Sequence, residues 1–228
     1  MAVGDALQKA AIRLVGQRPE TFFGATGRLE IELTDLVNEV AEDIAQYRDW
    51  QALTRIATIS GAGAESYPFP DDYGRMLLDS ALQDPQTWFW GYFRYEDLNV
   101  FMRDKAFGPM PTPGGWIVYD NAIHFYPPPT QLATYPYITK NWARDFSTAP
   151  KSEFTDDRDE FLLPERLLTL GLIWRWRENK KLDAAGDQEA FIKALDEYGA
   201  KDGGSKVMRY GSSGRRLNIG PAYTGGAF

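Results

Sequence analysis

Apolar residues recur at intervals of three and four in four stretches of the chain. In the first, Asp5 to Gln17, Ala6, Leu7, Ala10, Ala11, Leu14 and Val15 share one side. That period predicts a short helix ending near Gly16. Arg18-Pro19 stops it, because a residue before proline avoids the helical region. The second stretch, Leu29 to Trp50, aligns Leu29, Leu33, Leu36, Val37, Val40, Ile44 and Tyr47. Its opposite face carries Glu32, Asp35, Glu39, Glu42 and Asp43, either a solvated face or a deliberately acidic one. Pro164 opens the third helix, where its missing N–H costs nothing. Leu167, Leu168, Leu170, Leu172, Ile173, Trp174 and Trp176 surround this helix rather than forming one stripe. It is therefore central in a bundle or packed against another chain. In the fourth, Asp187 to Ala200, Phe191, Ala194, Leu195 and Tyr198 lie on one face, and Gly203-Gly204 blocks extension.

The region from Ala52 to about Ser147 changes period. Ile56 to Ile59 and Tyr67 to Phe69 read as strands around a turn at Ser60 to Gly63. Trp116 to Tyr119 and Ala122 to Tyr126 flank Asp120-Asn121, a two-residue hairpin loop whose residue types tolerate positive φ. Prolines 109, 111, 113, 127, 128 and 129 disfavour helix around it. Tyr135 to Asn141 reads as a further strand. The predicted class is α+β: a helical bundle with an inserted small antiparallel β-domain and an extended C-terminal arm. The expected divisions are 1–53 and 149–202 for the bundle, 54–148 for the insertion and 203–228 for the arm.

The arm differs from the rest in charge. Lys206, Arg209, Arg215 and Arg216 are unopposed by any acid there, against a chain total of −7. It holds seven of the glycines, with Val207, Met208, Tyr210, Leu217, Ile219, Tyr223 and Phe228 between them. Such a segment is either a disordered terminus or an arm that orders on a partner through spaced apolar anchors.

Composition narrows the chemistry. With 43% hydrophobic and 25% charged residues the chain is globular in type. No cysteine is present, which excludes disulfides, thiolate metal sites and cysteine nucleophiles. The single histidine, His124, cannot build a multi-histidine metal site, and no GxSxG elbow accompanies it. No phosphate-binding loop occurs. Asp156-Asp157-Arg158-Asp159-Glu160 lacks the spacing of a calcium loop and reads as a solvated acidic loop. No cofactor or metal is expected. The acidic balance opposes a broad nucleic-acid-binding face, and neither a membrane span nor a signal peptide is expected. Trp88, Phe89, Trp90, Tyr92 and Phe93 form an aromatic run that would suit sugar rings, or be split between core and interface.

Three stretches together resemble the head–tail adaptor (connector) proteins of tailed bacteriophages. They are Leu33 to Val40 continuing to Asp49-Trp50-Gln51-Ala52-Leu53, then Tyr67-Pro68-Phe69-Pro70-Asp71-Asp72-Tyr73-Gly74-Arg75-Met76, then Phe161 to Trp176. The resemblance runs from about Leu29 to Arg216. It implies a structural virion protein, not an enzyme, located in the virion neck and in the host cytoplasm during assembly. It further implies a ring, usually of twelve copies, between the portal protein and downstream tail proteins, through which DNA passes without specific binding. On that reading Arg209, Tyr210, Arg215, Arg216, Tyr223 and Phe228 contact the portal. Leu172, Trp174 and Trp176 form a subunit interface, and Glu32, Asp35, Glu39, Glu42 and Asp43 face the channel. The alternative is a tail-associated glycan-binding module that uses Trp88 and Trp90.

Overall fold

The computed structural model describes residues 2–77, 82–84, 88–108 and 114–203, with 83–84 and 88–91 as backbone. The fold is α+β, as the pattern predicts. The chain divides into two compact units, one of residues 1–58, 68–80 and 134–205, the other of 59–67, 81–133 and 206–228.

The first unit is built on four helices: α1 (Val3–Val15), α2 (Arg28–Gln46), α4 (Glu165–Asn179) and α5 (Ala185–Asp202), with α3 (Leu98–Phe107) belonging to the other unit. Helix α4 packs against α1, α2 and α5. This explains why its apolar residues do not form one stripe: three helices pack around it. Gly171 sits where α4 crosses α2, and a Cβ there would meet Val40 Cγ1 and the Phe191 ring. The bare Cα is what lets the two helices close on each other.

Helix α2 ends earlier than its apolar stripe predicts. Trp50 folds back and its indole Nε1 donates to the Ile44 carbonyl at 2.7 Å. This satisfies one of the orphan acceptors at the helix end, with Trp50 itself only 1% exposed. A short 3₁₀ turn, Gln51–Leu53, follows. In the same unit β1 (Thr54–Ile59) and β3 (Tyr73–Met76) both pair with β8 (Ala133–Thr139). A second small sheet joins β9 (Ala143–Arg144) to β10 (Pro150–Lys151) and β11 (Glu160–Phe161), all antiparallel.

The acidic run at 156–160 is not a solvated loop. Asp159 is 1% exposed, and its Oδ2 accepts from Lys151 Nζ at 2.6 Å and from the amides of Thr155 and Asp156 at 2.7 and 3.1 Å. The Asp157 carboxylate accepts from the amides of Phe22 and Phe23. The backbone carbonyls of Asp159 and Asp157 take the Val3 and Gly4 amides at 2.7 and 2.9 Å. Helix α1 has no side-chain cap, so these carbonyls satisfy its first donors. That support starts the helix two residues before its apolar pattern does.

The second unit holds β2 (Ser66–Pro68), β4 (Leu82–Asp84), β5 (Trp88–Arg94), β6 (Gly115–Tyr119), β7 (Ala122–Tyr126) and α3 (Leu98–Phe107). Its strand order is β4-β5-β6-β7-β2. The hairpin β6–β7 turns at Asp120 and Asn121, with φ of 50° and 52°, the left-handed pair that a type I′ turn needs. Strands β5 and β6 run parallel. Parallel neighbours need a crossover, and α3 supplies it. The sequence pattern predicts no helix here. Its signal is short: Asp97 caps the helix by accepting from the Asn99 amide at 2.7 Å, and Gly108 ends it. The expected strands at 56–59 and 67–69 take different partners, β1 joining β8 and β2 joining β7.

Candidate assembly surface

The residues expected to carry function gather mainly on α2 and α4. Leu172 is 0% exposed in the unit's own core, so it offers nothing to a neighbouring subunit. Trp174 and Trp176 are half-buried. Trp174 stacks on Phe191 at 5.4 Å between ring centroids, with the Arg175 guanidinium 4.5 Å above its ring. Trp176 donates from Nε1 to Glu32 at 2.9 Å, and Lys180 lies over its ring. Both indoles are thus fixed in orientation with an edge left to solvent.

The acidic face of α2 divides in two. Glu32, Glu39 and Asp43 turn toward α4. Arg175 reaches Asp43 at 2.7 Å and Glu39 at 3.9 Å. Lys180 and Arg28 both pair with Glu32. Asp35 and Glu42 remain exposed, and among the described residues Glu42 accepts only from Gln46 of the next turn. The bonds from Lys180, then Arg28, outweigh partial burial and hold the Glu32 carboxyl down at about 2, against an ordinary 4.5. A depressed folded-state value stabilises above the unfolded value and is lost as pH falls toward the folded one. The protein therefore loses this contribution between pH 4.5 and 2, and Glu32→Gln lacks it throughout. Urea midpoints of both forms across that window check this. Parallel curves would rule it out.

Beside α2 lies a cleft of about 370 Å³ lined by Glu42, Ala45, Arg75, Lys140 and Trp142. Arg75 is spoken for by Asp49. A second cleft of about 400 Å³ shares Thr139 with the first and adds Arg55, Asp72, Asn141 and Arg144. Asp72 accepts from Tyr137 Oη at 2.8 Å and Thr139 Oγ1 at 3.0 Å. Burial first, then Asp72, pushes the Tyr137 hydroxyl up to about 12, so it stays a donor.

In the other unit, His124 stacks on Tyr119 at 3.6 Å between centroids. Its Nε2 is buried without a partner among the described residues. Burial pulls its pKa below the ordinary value, so the ring is neutral and packed. Among the described residues no carboxylate hydrogen-bonds the ring as a catalytic base would need.

Residues 1–217 match the family model described as SU10 adaptor protein. The chain belongs to that family. No curated protein matches it.

As a member of a phage adaptor family, the adaptor is structural and non-enzymatic, and its function lies in contacts with other virion proteins. None of its described helices is long and apolar enough to cross a membrane. Of the residues singled out from sequence, the structure brings Glu32, Glu39, Asp43 and Trp176 together between α2 and α4, while Trp174 packs on Phe191 of α5. It leaves Asp35 and Glu42 apart from that group. Arg209, Tyr210, Arg215, Arg216, Tyr223 and Phe228 lie outside the described residues, as do the side chains of Trp88 and Trp90. The cations of the paired clefts, Arg55, Lys140 and Arg144, carry no motif. Only the fold of β1, β8 and β9 gathers them, so spacing along the chain gives no signal for them.

Proposed function

We propose that this adaptor assembles as a closed ring, of about twelve copies as in the proteins it resembles, joining a portal to downstream tail proteins around the path of DNA. The observation that carries this reading is the adaptor-family match over nearly the whole chain. A ring of identical subunits closes through two different patches on each copy. The edges of Trp174 and Trp176 supply one candidate patch, held rigid by Phe191 and Glu32. The exposed acids of α2, Asp35 and Glu42, with Glu39 and Asp43 beside them, face the channel and repel DNA as it passes. The segment from Gly203 onward docks on the portal. Its four cations seek portal carboxylates, and Tyr210, Tyr223 and Phe228 act as buried anchors.

Native mass spectrometry of the full chain with its cognate portal ring tests this. The expected result is one discrete complex carrying about twelve added chains, as closed-ring symmetry requires. The chain lacking 203–228 is expected to add no mass at the same concentration. A saturated mixture with no complex defeats the reading, and full docking by the truncated chain removes the arm's role.

A further inference from the structure

Several cations of the helical unit form no ion pair among the described residues, Arg13, Arg48 and Lys193 among them, but three such cations gather in one place: Arg55 on β1, Lys140 just beyond β8, and Arg144 on β9. They contrast with Lys9, Arg75, Lys151, Arg175 and Lys180, each of which faces a carboxylate. The three sit on the two clefts that share Thr139. Arg55 is held in place, since its Nη1 donates to the carbonyls of Ala52 and Thr54 at 3.1 and 2.8 Å. Lys140 and Arg144 are exposed. Trp142 in the first cleft, and Pro150 and Leu162 in the second, give apolar walls beside the charges. A guanidinium fork beside an apolar wall fits a carboxylate side chain and its methylene stem.

We propose that these joined clefts receive carboxylate side chains of a second copy of the same chain, as the positive half of a head-to-tail contact. The inference rests on the ring reading above and names one of the two patches that such a ring needs. Charge points to protein rather than DNA. Glu42 and Asp72 line the same clefts, and the chain carries −7 overall, which disfavours a continuous phosphate strand. An isolated monoanion meets less repulsion there. The chain itself offers the complement. The outward face of α5 presents Glu189 and Glu197, exposed and in no ion pair among the described residues, with Lys193 between them and Ile192, at 45% exposure, one turn from Glu189.

Zero-length carbodiimide cross-linking tests the contact on the full chain. Rings are assembled on the portal from equal amounts of ordinary and ¹⁵N-labelled chains and read by peptide mass spectrometry. The expected product joins Lys140 of one copy to an Asp or Glu of a differently labelled copy, and Lys140→Arg abolishes it. Arg144→Glu is expected to weaken assembly by about tenfold or more, as like charges meet across the contact, with its unfolding midpoint unchanged. Links confined within one chain, a link from Lys140 to the portal, or no link from an intact ring each overturn the proposal while leaving the ring standing. Retention of DNA by the wild type that Arg144→Glu loses would assign the clefts to phosphate and overturn it as well. Wild-type chains that form no multi-copy species at all would instead remove the ring reading.

Discussion

Replacing Asp159 with alanine is expected to destabilise the helical unit by about 3 kcal/mol. The carboxylate is buried, and one oxygen takes Lys151 Nζ and two backbone amides. Alanine leaves both amides without an acceptor, each costing about 1–3 kcal/mol when buried, and strips the partner from Lys151. Two facts set the estimate at the lower end for a broken buried pair. Lys151 keeps 22% of its side chain in solvent, and Asp159 Oδ1 makes no hydrogen bond among the described residues. Asp159→Asn retains an acceptor of the same shape and is expected to cost about half as much, since charge-assisted bonds are roughly twice as strong as neutral ones. Urea unfolding followed by tryptophan fluorescence gives both values. The loss also has a local signature: the Val3 and Gly4 amides, bonded to the carbonyls of the same loop, lose hydrogen-exchange protection. An alanine variant within 0.5 kcal/mol of wild type would show that the loop does not depend on this carboxylate.

Gly171→Val is expected to cost a similar amount, about 3 kcal/mol, by overpacking. The added Cβ alone presses into Val40 Cγ1 and lies 3.1 Å from the Phe191 ring, and valine adds two further methyl groups. Alanine normally gains about 1 kcal/mol over glycine within a helix. Here the close crossing reverses that gain, so Gly171→Ala is expected to be net destabilising. The decisive measurement is a double-mutant cycle. Val40→Ala removes the obstructing methyl groups, and Gly171→Ala on that background should recover at least about 0.5 kcal/mol of its loss. Simple additivity of the two substitutions would mean that the helices separate freely there.

Much of the helical unit was legible because its cores follow the helical period. The stripes of α1, α2 and α5 coincide with buried or half-buried residues, except at the helix ends, where Val15 and Tyr47 are exposed. The all-round apolar sequence of α4 left two readings, and its contacts with three helices decide for the central one. The β6–β7 hairpin was legible from Asp120-Asn121, because so few residue pairs tolerate two successive left-handed conformations. What escaped was set by distant partners. Trp50 continues the apolar stripe of α2 yet turns back to cap it. Asp157 and Asp159 look like surface acids until the chain returns and places Phe22, Phe23 and Lys151 against them. Helix α3 buries only Phe101 fully, so its apolar signal is weak. For the surfaces, residue types were readable and pairings were not. Five acids on α2 read as one face, but Arg175 and Lys180 come from more than 130 residues away along the chain and neutralise part of it.

The central place of α4 also governs how the adaptor is made. Helices α1 and α2 end by Gln46, whereas α4 begins at Glu165. During synthesis the apolar faces of the first two helices emerge long before the helix that covers them. At about 5–20 residues per second they wait roughly 6–25 s on the ribosome with their main partner unmade. Residues 81–133 of the second unit are synthesised within that interval. The nascent chain thus carries two amphipathic helices without their main partner until its last quarter is translated, an interval in which exposed apolar surface favours association with other chains.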